Sequence, residues 1–102
     1  MNGRSSKRKG SSAEREVVNL AKAAGLTATR AYASNGRALG HTEDVDAEIA
    51  GYRIQVKRRA RIASYVKPPE GADMTLIRED RGPWLAVIPY TTLLDLLENH
   101  GA

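Results

Sequence analysis

Apolar positions near the start of the chain recur with the period of a helix. Ala13, Val17, Leu20, Ala21 and Ala24 form one face of a helix predicted from Ser11 or Ser12 to about Ala24. Gly25 is its stop, and Ser11-x-x-Glu14 fits a capping box with Glu14 at the third helical position. Leu26–Tyr32 then reads as a strand, with Thr27, Thr29 and Tyr32 favouring extended chain. Residues 33–43 form a loop with a turn signal at Asn35-Gly36 and added freedom at Gly40. Asp44–Ile49 and Tyr52–Arg58 are predicted to pair as a hairpin about Gly51. Ala60–Lys67 reads as a short helix with Ile62, Tyr65 and Val66 on one side, ended by Pro68-Pro69. Asp73–Arg78 is a strand and residues 79–83 a turn. Trp84–Ile88 is nearly continuous in apolar residues, which predicts a strand buried on both faces with Trp84 in the core. Thr92 is placed to cap a last helix whose core stripe is Leu93, Leu94, Leu96 and Leu97, fraying at Asn99–Ala102.

The order α-β-β-β-α-β-β-α predicts an α/β domain, a mixed central β-sheet flanked by helices. Residues 1–10 hold four cations and no apolar side chain after Met1, so they read as a flexible basic arm ahead of a single domain at 11–102. A chain of 102 residues supports one modest core. It has no Cys, which excludes disulfides and thiolate metal sites. No apolar run approaches the roughly 20 residues of a membrane span, and no signal-peptide core follows the basic start. The expected location is the cytoplasm, with no membrane partner.

Charge is unevenly placed. Residues 1–39 carry eight Lys or Arg against two Glu, while residues 40–102 carry eight against ten acids. Residues 53–67 contain Arg53, Lys57, Arg58, Arg59, Arg61 and Lys67 with no acid. Two basic segments thus flank one acidic cluster, an arrangement that can hold a polyanion by its phosphates while a metal bridges it to the acids. A solvated surface is the plainer reading of either basic segment alone. Tyr32, Tyr52, Tyr65 and Tyr90 are scattered, unlike the clustered aromatics of a single-strand-binding surface.

The acidic cluster holds the candidate chemistry. Glu43, Asp44, Asp46 and Glu48 lie within six residues, followed by Gly51 and then Gln55-Val56-Lys57. On a strand, Gln55 and Lys57 share one face while Ile54 and Val56 point to the other. Hairpin pairing sets the acids beside Lys57. Carboxylate and amide oxygens suit hard cations such as Mg²⁺, and a lysine beside such an ion can orient a water or stabilise charge developing on a phosphate. An ordinary hairpin with a solvated acidic edge explains the same spacing. Ser34, Arg37 and His41 in the loop could touch a ligand, but His41 has no second His or Cys completing a metal set.

Several motifs together resemble one family. Lys9-Gly10-Ser11-Ser12-Ala13-Glu14-Arg15-Glu16 is similar to the Lys-Gly-x-x-x-Glu-Arg-Glu opening of archaeal-type Holliday junction resolvases. Ala33-Ser34 resembles that family's Ala-Gly-Ser segment. Asp44 followed by Gln55-x-Lys57 resembles the PD-(D/E)xK nuclease signature, and residues 81–88 look like phage-borne members of the group. The likeness extends from about residue 9 to residue 98. It implies a restriction-endonuclease-like core. It also implies a homodimer that cuts opposing strands of a four-way DNA junction by Mg²⁺-dependent hydrolysis, with Mn²⁺ as a substitute. A phage-encoded protein would act in the host cytoplasm.

Carried over residue by residue, the resemblance makes Glu14 the helix carboxylate of the metal site. Asp44 becomes the motif aspartate, preferred over Asp46, which lies two residues on and could take the same role; Asp46 and Glu48 are additional acids, and Lys57 is the motif lysine. Ser34 becomes a phosphate-positioning residue. Arg4, Lys7, Arg8, Lys9, Arg37, Arg58, Arg59 and Arg61 are candidate DNA contacts. The main departure is Gln55, where the family has Glu or Asp; an amide offers an acceptor oxygen but no charge. Three explanations compete. Gln55 ligates through its carbonyl with Asp46 or Glu48 supplying charge; the protein binds junctions with little cleavage; or Gln55 is an inactivating exchange for Glu. Another PD-(D/E)xK nuclease of repair or restriction type, or a non-catalytic DNA-binding module, remains open.

Overall fold

The computed structural model describes residues 3–31 and 44–100, without the side chains of 3–9 and 100. Helix α1 spans Gly3–Ala23. Three short strands follow: β1 (Ala28–Arg30), β2 (Ala47–Ile49) and β3 (Tyr52–Ile54). A single 3-10 turn covers Ser64–Val66. Strands β4 (Thr75–Ile77) and β5 (Leu85–Val87) precede helix α2 (Tyr90–His100).

The start of α1 differs from the sequence expectation. The helix begins at Gly3, so most of the stretch expected to be a flexible arm is helical and Ser11 lies mid-helix, where it cannot be an N-cap. The apolar face is also turned slightly: Val18 is buried, while Leu20 is 45 % exposed. The predicted stop at Gly25 holds, and its mechanism is visible. Gly25 takes φ +86°, its N–H donates to the Lys22 carbonyl, and the Leu26 N–H donates to Ala21. These two bonds form a Schellman motif, with half-buried Leu26 packing back on the core.

Strands β1, β2 and β3 form an antiparallel sheet in that order. The hairpin turn is Ala50-Gly51, with φ +49° and +86°, the paired positive angles of a type I′ turn. Register puts Ala28, Ile49 and Tyr52 in one row, Thr29, Glu48 and Arg53 in the next, and Arg30, Ala47 and Ile54 in the third. Ala47 and Ile49 are fully buried, whereas Thr29 and Arg53 are exposed. One face therefore packs and the other meets solvent, as antiparallel sheets allow. The packed face carries the core: Ala21 from α1, Ile49 from β2 and Leu94 from α2, with Val17, Ile54 and Leu97 around them. The Tyr90 hydroxyl donates to the Val17 carbonyl at 2.8 Å and ties α2 to α1. Burial raises the Tyr90 pKa above its ordinary 10.0.

Other expectations are corrected. There is no single mixed sheet among the described residues: β4 and β5 pair with each other as a separate antiparallel hairpin, and every described pairing is antiparallel. The helix predicted at Ala60–Lys67 is only the 3-10 turn, with Ile62 and Tyr65 exposed. Pro68 bars helical backbone at Lys67, which is extended, and leaves too few residues for stable helical turns. The run at Trp84–Ile88 is not buried on both faces. Trp84 and Leu85 are exposed, and the Arg78 guanidinium lies over the Trp84 ring, 5.1 Å from its centre. Helix α2 starts at Tyr90, so Thr92 is inside it; the Pro89 carbonyl accepts the first bond, from Leu93 N–H. Leu96 faces out of the predicted core stripe.

Candidate nucleic-acid cleavage site

One end of the three-stranded sheet gathers the chemistry. Arg30 ends β1, Ala47 begins β2 and Ile54 ends β3, and register places the three side by side. Asp46 sits just beyond. Its carbonyl accepts from Ala31 N–H at 2.9 Å, while its own N–H donates to the Ile54 carbonyl at 2.8 Å. A regular strand residue sends both groups to the same neighbour; Asp46 sends them to opposite ones. Ile54 is already the register partner of Ala47, so Asp46 and Ala47 face one residue of β3. That is a β-bulge, a device that re-aims a side chain where pairing ends.

The re-aimed carboxylate meets the backbone between Gln55 and Lys57. Asp46 Oδ2 accepts from Val56 N–H at 2.7 Å. Exposure alternates along this segment: Ile54 and Val56 are half-buried, Gln55 and Lys57 exposed. Gln55 and Lys57 are thus both open to solvent, in a segment where regular pairing has stopped at Ile54. Asp44, the aspartate preferred from sequence, is exposed two residues upstream. Glu48 lies within β2, opposite Arg53.

Glu14 reaches the same end from α1. It is buried, 4 % exposed, and its Oε1 takes a hydrogen-bonded ion pair from Arg30 Nε at 3.1 Å. A second Arg30 nitrogen donates to Ser11 Oγ at 2.6 Å. Ser11 and Glu14, three apart on one helix face, thus grip a single guanidinium. Sequence reasoning missed Arg30. Its signal was present: two residues from Ala28, it belongs to the inward face of β1, where a cation requires an acid partner.

Arg58, Arg59 and Arg61 are exposed and follow Lys57 without regular structure. Arg4, Lys7, Arg8 and Lys9 lie on the first turns of α1, but their side chains are outside the described residues, as are Ser34, Arg37, His41 and Glu43. Among the described residues no three His, Asp or Glu side chains gather closely enough to hold a metal ion. The donor chemistry fits a hard cation only in part. Asp46 and Gln55 carry oxygens on neighbouring chain, and Glu14 pairs through Oε1 with Arg30.

A helix laid against an antiparallel sheet, with an aspartate bulged onto a Gln-x-Lys segment and a run of arginines behind it, is an arrangement suited to phosphate chemistry. Comparison with protein families gives a match over residues 5–87 to the archaeal Holliday junction resolvases (Hjc). The chain belongs to that family, whose members are nucleases acting on branched DNA junctions. Neither curated proteins nor solved structures gave a match. No helix among the described residues is long and apolar enough to cross a membrane.

Proposed function

We propose that this protein is a structure-selective endodeoxyribonuclease that resolves four-way DNA junctions, acting in the cytoplasm as a homodimer with Mg²⁺, for which Mn²⁺ can substitute. The observation that carries the reading is the contact between Asp46 and the backbone of the Gln55-x-Lys57 segment, in a chain of this family. Arg58, Arg59 and Arg61 hold the phosphate backbone on either side of the scissile bond and make binding salt-sensitive. Phosphate contacts carry no base information, so selectivity follows branched shape. Lys57, exposed beside them, meets the charge that develops on the phosphate during attack by water. Asp46 holds the Gln55–Lys57 backbone in place and, with Asp44 and the Gln55 carbonyl, is the oxygen donor set available to a cation. A bound divalent cation supplies Lewis acidity and a more acidic water.

A second reading has its own support. The neutral Gln55 and the absence of an acid trio among the described residues favour a junction binder with slow cleavage. One pair of assays separates the two. Competition between a four-way junction and a linear duplex of equal length is expected to favour the junction strongly, and equal binding refutes the proposal. Cleavage with Mg²⁺ is then compared for this chain and Gln55→Glu. A large gain in the variant supports the slow-cleavage reading; comparable cutting supports Gln55 as a working ligand.

A further inference from the structure

The stretch after Lys57 offers more than charge. From Arg53 to Lys67 there are six cations and no acid, yet Ile62 is 53 % exposed and Tyr65 is 73 % exposed, more than any other large hydrophobic side chain described. The sequence pattern assigned both to one side of a short helix. The structure turns them outward.

Tyr65 is also presented on fixed backbone. It is the middle residue of the Ser64–Val66 turn, closed by Val66 N–H to the Ala63 carbonyl and Lys67 N–H to the Ser64 carbonyl, both 3.2 Å. Val66 and Pro68, on its C-terminal side, are half-buried and anchor that end of the turn. Arg61 and Lys67 flank it within four residues. An exposed aromatic ring offers a flat apolar face to a flat partner. A ring held among cations suits a base exposed on a polyanion, because stacking takes any base and needs no sequence.

We propose that Tyr65, with exposed Ile62 three residues before it, is the branch-point wedge of this protein: the ring stacks on the base pair left open where two arms of a junction meet, while Arg58, Arg59, Arg61 and Lys67 hold the adjoining phosphates. Duplex ends at a branch offer an unstacked base face that continuous duplex lacks, and an apolar side chain entering a base step pays least where the step is already broken. The wedge therefore contributes selectivity for the junction, separately from cleavage at Lys57. This inference rests on the junction-resolving reading.

The test is competition binding of the intact chain, Tyr65→Phe and Tyr65→Ala to a four-way junction carrying 2-aminopurine at the branch point, and to a linear duplex. Tyr65→Ala is expected to bind the junction about tenfold more weakly, in line with the loss of one stacked base, to leave duplex affinity unchanged and to lose the fluorescence change. Tyr65→Phe retains all three properties. Tyr65 is exposed, so thermal melts of the variants should match the parent. If the parent prefers the junction and Tyr65→Ala prefers it equally with the same fluorescence, the wedge is refuted and the resolvase reading stands. A parent with no junction preference removes the resolvase reading itself.

Discussion

Replacing Arg30 with Met removes the cation from a carboxylate that the fold keeps 4 % exposed. The Met chain fills much of the same space, so the loss is mainly electrostatic. Breaking one side of a buried ion pair costs roughly 3–5 kcal/mol, against about 0–1 for an exposed pair. The Arg30 side chain is 26 % exposed and the Glu14 side chain 5 %, so water tempers the penalty to about 2–3 kcal/mol. For a domain of this size that lowers the midpoint of thermal unfolding by roughly 10–20 °C. Urea titration is the assay, with an unchanged slope reporting that the unfolded state is unaltered. A companion Glu14→Gln/Arg30→Met double variant removes the carboxylate charge along with its cation and should recover part of the loss. A single-variant loss under about 1 kcal/mol, or no recovery in the double variant, would show that the pair behaves as a surface contact.

Two further predictions concern neighbouring contacts. Asp46→Ala removes the acceptor for Val56 N–H and should cost about 1–2 kcal/mol by urea titration, whereas Asp46→Asn keeps an acceptor oxygen and should cost less; equal losses refute the role given to Oδ2. Tyr90→Phe should cost about 0.5–1.5 kcal/mol through the lost bond to Val17. Because the Tyr90 pKa is raised in the fold, the unfolded chain loses that proton first. Its stabilising effect is whole below pH 10 and fades as pH rises through the higher folded value. The variant should lack this alkaline loss, which unfolding measured from pH 9 upward will show.

The sequence made the local elements legible where one signal dominated. The apolar face of α1, the Gly25 stop and the Gly51 hairpin each follow from residue period or backbone freedom. Boundaries failed where tertiary context intervened. Ser11 reads as a cap in isolation, but the helix continues upstream and its hydroxyl serves Arg30. Trp84 and Leu85 read as core because apolar runs normally find cover, yet no second sheet covers them among the described residues. At the site, the Gln55 and Lys57 side chains were placed on one side by strand period alone. Spacing allowed either Asp44 or Asp46 as the motif acid; that Asp46 makes the contact depends on a one-residue bulge that sequence spacing does not encode. Strand period marks Arg30 as inward-facing, but that Glu14, sixteen residues away, is the acid that meets it depends on how α1 packs on the sheet.

In the proposed mechanism, cleavage at a branched phosphate depends on Lys57. The direct measurement is Mg²⁺-dependent cutting of a mobile four-way junction by the parent, or by Gln55→Glu if the parent is slow, against the same protein carrying Lys57→Ala. Paired nicks in opposing strands are expected for the first, and for the second a protein that melts normally, still binds the junction and leaves it uncut. Undiminished cutting by Lys57→Ala would contradict that mechanism.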